Sequence, residues 1–161
     1  MRESPSTPVR TIPIHVDTGT AYHKAQPTSN LEMTQVGRGT PMGELLRRYW
    51  HPIGISSDAN HTPRKVRVLG EDLILFRDKK GRPGLVYPHC AHRGTSLFYG
   101  KVEENGIRCC YHGWHFNVDG ILMDAPCETD ATRLKQTVCQ GAYPAFERDG
   151  LVFAYMGPPE Q

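Results

Sequence analysis

The chain has 161 residues, a formal net charge of +2 and 38% hydrophobic residues, which suits one domain plus a tail. That charge is too slight and too scattered to imply a nucleic-acid partner, and no apolar run approaches the roughly eighteen residues of a membrane span. Sixteen glycines and thirteen prolines favour frequent turns over long helices.

Residues 1–30 contain Ser, Thr, Pro and His but no apolar stretch of a secretory signal, and they read as a disordered extension. Arg2 and Arg10 are weak signs of a transit peptide, opposed by Glu3, Asp17 and several prolines. A single domain is expected over 31–161. Thr40-Pro41 opens a helix, with Thr as the cap and Pro in the first turn, and Met42, Leu45, Leu46 and Tyr49 follow at helical spacing. Pro52 to Ser56, Lys65 to Leu69 and Asp72 to Phe76 read as strands, the last two forming a hairpin across Gly70-Glu71. Leu85 to Tyr87 is another strand. Gly100 to Gly106 reads as a turn-rich link, and Ile107 to Cys109 as the strand it feeds. Phe116 to Val118 and Ile121 to Met123 flank Asp119-Gly120, a short-hairpin signal. Residues 125–136 read as an irregular surface loop, and strands over Val138 to Phe146 and Leu151 to Tyr155 meet across Glu147 to Gly150. The pattern predicts an all-β fold, an antiparallel β-sandwich with one short N-terminal helix.

Chemistry concentrates in two segments. Cys90-Ala91-His92 is a Cys-x-His pair, and Cys109-Cys110-Tyr111-His112 contains a Cys-x-x-His pair. Neither pair can enclose a metal alone, so two loops must meet on a rigid scaffold to form a cluster-binding tip. Gly94 and Gly113 follow the histidines, where a missing side chain lets backbone N–H groups turn towards a bound cluster. The four residues Cys90, His92, Cys109 and His112 read as ligands of a Rieske 2Fe-2S cluster, in which two thiolates hold one iron and two imidazoles the other.

Other readings exist. Structural zinc takes two Cys and two His, but its ligand pairs usually have two or more intervening residues, which Cys-x-His lacks. A disulfide framework and unrelated core thiols are further options. Cys110 repeats the Cys-x-His spacing towards His112 and competes with Cys109. His89 and His115 are expected as loop or surface residues, Cys127 and Cys139 as small, partly buried residues, and Trp114 as packing. The basic residues around Arg64-Lys65 and Arg77 are expected at solvated loop ends.

The stretches Cys90-Ala91-His92-Arg93-Gly94, Ile107 to Trp114 and Arg48-Tyr49-Trp50-His51-Pro52 together resemble the N-terminal domain of Rieske non-heme iron oxygenases, nearest the phthalate-dioxygenase-like, ring-hydroxylating branch. Asn117 to Gly120 and Gly150 to Pro159 extend the likeness. The resemblance implies that Cys109 is the second thiolate ligand and that Cys110 fills a variable place. The cytochrome bc type resembles a pattern with two further cysteines that clamp the loops. Thr95 and Tyr111 stand at those positions here.

The same likeness implies an electron-transfer domain that accepts electrons from a reductase or ferredoxin and passes them to a mononuclear iron in a catalytic oxygenase domain or subunit. That iron takes a two-histidine, one-carboxylate triad, and no histidine follows His115. The catalytic domain is therefore expected outside this chain. An autonomous Rieske ferredoxin is the alternative. Five cysteines beside an iron–sulfur pattern point to the reducing cytoplasm.

Overall fold

A computed structural model describes residues 30–159 of the chain. Two short helices come first, α1 (Leu31–Thr34) and α2 (Pro41–Leu46), then the strands β1 (Trp50–Ile55), β2 (Arg64–Val68), β3 (Glu71–Arg77) and β4 (Pro83–Val86). Next come β5 (Lys101–Glu103), β6 (Gly106–Arg108), β7 (His115–Phe116) and β8 (Leu122–Asp124). Helix α3 (Ala131–Thr137) precedes β9 (Ala142–Tyr143), β10 (Ala145–Arg148) and β11 (Leu151–Tyr155). The all-β prediction holds.

Three antiparallel sheets result, with strand orders β1-β11-β10, β2-β3-β4-β9 and β5-β6-β7-β8. β3 is apolar on both faces for a physical reason. Ile74 and Phe76 pack into one core with Val86, Leu97, Ile107, Phe116 and Leu122, whereas Leu73 and Leu75 pack into another with Leu85, Val152 and Ala154. The second sheet is thus the shared middle layer, and the first of these cores runs beneath the two cysteine loops, including Cys90, Cys109 and Trp114. Gly84 has no side chain because a Cβ there would sit 2.5 Å from the Phe76 ring.

Turn chemistry sets the registers. The β2–β3 hairpin turns on Leu69 and Gly70, with φ of 45° and 82°, and β10–β11 turns on Asp149 and Gly150, with φ of 52° and 78°. Such left-handed pairs match the twist of the flanking strands. The β2–β3 turn therefore lies one residue ahead of the expected Gly70-Glu71.

Several expectations need correction. The helix at Thr40-Pro41 forms as read, Thr40 Oγ1 accepting from Gly43 N at 3.1 Å, but it is not alone. Asn30 caps α1, so the end of the expected 1–30 extension is ordered, while 1–29 lies outside the described residues. Residues 125–136 are not all loop: Asp130 accepts from Arg133 N and starts α3, whose Ala131 and Leu134 pack on the core. The Gly100 to Gly106 link contains β5, which pairs with β6 through Val102↔Ile107. The expected strand over Val138 to Phe146 splits into β9 and β10, in different sheets.

Candidate metal centre

The two cysteine loops have the same backbone. In the first, Cys90 N–H donates to Thr95 O at 2.9 Å and Gly94 N–H donates to Cys90 O at 2.9 Å. In the second, Cys109 N–H donates to Trp114 O at 2.8 Å and Gly113 N–H donates to Cys109 O at 3.2 Å. Each loop therefore closes over six residues with glycine fifth, and Gly94 and Gly113 both adopt left-handed φ, 73° and 74°. A non-glycine residue there would be strained. The side chain just before each cysteine bonds the glycine carbonyl: His89 Nδ1 lies 3.0 Å from Gly94 O, and Arg108 Nη1 donates to Gly113 O at 2.6 Å.

Those loops bring the four predicted ligands together as two pairs. Cys90 and Cys109 are buried and not disulfide-bonded, and Cys109 lies near enough to raise the Cys90 pKa. The His92 and His112 rings stand 4.8 Å apart. Cys110, by contrast, is exposed. Among the described residues no three His, Cys, Asp or Glu side chains converge on a single ion.

The donor chemistry fits a metal cluster. Burial, with Cys109 adding to it, pushes the Cys90 thiol up to about 11, while the backbone N–H groups of His92 and Arg93 stabilise its thiolate. Such a thiol keeps its proton unless a cation replaces it. Burial, helped by the neighbouring His112, lowers the His92 pKa, which favours the neutral imidazole that binds metals. His112 Nδ1 is buried with no hydrogen-bond partner, an arrangement that is costly unless a ligand takes the lone pair. His92 Nε2 lies 3.4 Å from Glu128 Oε1, leaving its Nδ1 for another partner.

Supporting residues complete the site. Trp114 packs as expected, its ring stacked on His92 at 4.4 Å. Gln140, buried, holds the first loop from below: Ala91 N–H donates to its Oε1 at 2.8 Å, and its Nε2 donates to Tyr87 O at 3.0 Å and His89 O at 2.9 Å. Gln140, Glu128 and Arg108 carry no sequence spacing that marks them, since their partners are set by the tertiary fold. His89 is an exposed loop residue as expected, but His115 is not: it lies in β7, 8% exposed, and burial holds its pKa below the usual imidazole value. Cys127 and Cys139 are exposed rather than partly buried. Among the described residues no helix is long and apolar enough to cross a membrane.

Comparison with known proteins agrees with this geometry. The chain is 56% identical over 151 residues to the tert-butanol monooxygenase / tert-amyl alcohol desaturase oxygenase subunit of Aquincola tertiaricarbonis, covering 89% of this chain and 32% of that protein. It is 56% identical over 155 residues to the phenoxybenzoate dioxygenase subunit alpha of Ectopseudomonas oleovorans, covering 94% and 38% respectively. The chain thus spans about a third of the length of these relatives. The crystal structure of apo dicamba monooxygenase superposes with a TM-score of 0.64 over 71% of this chain and 35% of that one; at 24% identity it establishes the fold alone. The Rieske [2Fe-2S] domain family matches residues 49–140, a stretch that includes both loops and Gln140 and exceeds half of the sequence. With paired thiols and paired imidazoles on two matching loops, the chain belongs to the Rieske [2Fe-2S] domain family.

Proposed function

We propose that Cys90, His92, Cys109 and His112 hold a 2Fe-2S cluster in a Rieske domain spanning 31–161, and that this domain serves a ring-hydroxylating-type oxygenase in the cytoplasm. The observation that carries the reading is the meeting of a buried thiol pair with an imidazole pair, one imidazole nitrogen being buried and unpartnered. When bound, such a cluster accepts and releases one electron at a time. The chain's own residues do the rest. Cys90 and Cys109 lie buried away from water, Trp114 stacks on the His92 ring, Gln140 holds the first loop and Arg108 holds the second.

Electrons enter from a reductase or ferredoxin and leave to a mononuclear iron in a catalytic oxygenase domain or subunit. Both relatives described above are oxygenase components, which supports this reading over an autonomous ferredoxin.

Reconstituted anaerobically, the chain is expected to bind about two irons, as a single cluster requires. Cys109→Ser should abolish the visible absorption and the Rieske electron paramagnetic resonance signal, and Cys110→Ser should keep both. The opposite pattern would assign the ligand to Cys110. Given dithionite, oxygen and aromatic acids, the chain is expected to form no hydroxylated product; product with a third iron would place a catalytic site within it.

A further inference from the structure

Arg108 stands between the second loop and two carboxylates on other strands of its sheet. Its Nε and Nη2 donate to Glu103 Oε1 at 2.9 Å and Oε2 at 3.0 Å, and its Nη1 donates to Asp124 Oδ2 at 2.9 Å and to Gly113 O at 2.6 Å. Four of its five N–H donors are engaged in this way. Glu103 is on β5, Asp124 on β8 and Arg108 on β6 directly before Cys109, so one guanidinium ties three strands of one sheet to the carbonyl that follows His112. The matching contact in the first loop comes from His89, which is exposed and has no carboxylate partner among the described residues.

We infer that Arg108 is the positioning residue of the second loop: it fixes the Cys109 to His112 span for the iron and sets the local charge around it. The inference rests on the ligand assignment proposed above. Two features of arginine are needed. Its planar fork makes the bidentate Glu103 contact while still reaching Gly113 O, which an ammonium cannot reproduce. Its fixed charge neutralises one of the two carboxylates, leaving the trio at a net charge of −1 rather than −2. Because reduction adds negative charge to the cluster, losing the cation makes reduction harder.

Lysine and glutamine variants separate these two roles. In the reconstituted full chain, Arg108→Lys should lose its visible absorption to an iron chelator faster than wild type, by roughly 10-fold, the low end of what losing outer support costs a metal site in affinity. Its reduction potential should stay at the wild-type value, because the charge is kept. Arg108→Gln should lose iron as fast and also shift the potential downward. Should Arg108→Gln fail to fold, Asp124→Ala removes one anchor from the half-exposed edge and should speed iron loss by a smaller factor. Far-ultraviolet circular dichroism unchanged in Arg108→Lys would exclude general unfolding. Wild-type iron retention in Arg108→Lys overturns the positioning role. Cys109→Ser run in parallel keeps the two readings apart: if it also retains a normal cluster, the ligand assignment fails rather than the clamp.

Discussion

The two cysteine loops share a backbone but are anchored by different physics. The first hangs on a buried neutral amide, Gln140, with its outer contact made by an exposed imidazole. The second hangs on a guanidinium balanced by two carboxylates. A neutral anchor is insensitive to pH and salt, but every hydrogen bond it leaves unmade in the interior is costly. An ionic anchor near the surface tolerates solvent but weakens when its carboxylates are protonated. One loop is held by burial and the other by charge.

The largest expected contrast comes from the neutral side. Gln140→Leu removes three hydrogen bonds and leaves Ala91 N–H, Tyr87 O and His89 O without their partner, so we expect a loss of about 3 kcal/mol, at the upper end of the cost of stranding buried polar groups. Urea unfolding of apo-protein measures it. A loss below about 0.5 kcal/mol, the level of an ordinary surface change, would mean that the first loop is held by its own backbone instead.

A smaller contrast lies in the glycines. Gly94→Ala and Gly113→Ala should each cost about 1–2 kcal/mol, because both residues are left-handed. Gly113→Ala should be the worse of the two, since its Cβ would meet Pro126 Cγ at 3.0 Å while nothing lies within 4 Å at Gly94. Equal losses in thermal unfolding would show that strain alone matters and that Pro126 yields.

The smallest effect is acid sensitivity. The hydrogen bonds and charge of Arg108 hold the Glu103 and Asp124 carboxyls below their ordinary values of 4.5 and 3.8. A depressed carboxylate contributes stability that is present above its unfolded pKa and lost as pH falls through the folded one. Apo-protein stability should therefore decline as pH drops below about 4.5 and keep declining below 3.8, and Arg108→Gln should flatten that decline. A wild-type slope in the variant would mean that other carboxylates dominate.

Much of this could be read locally. Asp119-Gly120 and Asp149-Gly150 announce turns because left-handed φ is favoured by few residues, and the Cys and His spacings mark both loops. Three-residue β5 escapes the pattern because Lys101-Val102-Glu103 offers one apolar residue, too few for a period of two to register. Helix α3 had an N-cap signal in Asp130, but only Ala131 and Leu134 face the core, so its apolar periodicity is thin. Gln140 and Arg108 are silent in the sequence for a different reason. A buried amide that accepts from an N–H 49 residues away and a cation shared by three strands acquire their roles only after the chain has folded.

The doubly buried β3 has a consequence before folding is complete. Leu73-Ile74-Leu75-Phe76 is a run of high β-propensity with no charge inside it, the kind of segment that stacks into cross-β aggregates when exposed. Asp72 on one side and Arg77 with Asp78 on the other act as gatekeepers, breaking the run at both ends. Because both cores share this strand, opening either one uncovers a face of it, and those three flanking charges are what the sequence sets against its stacking.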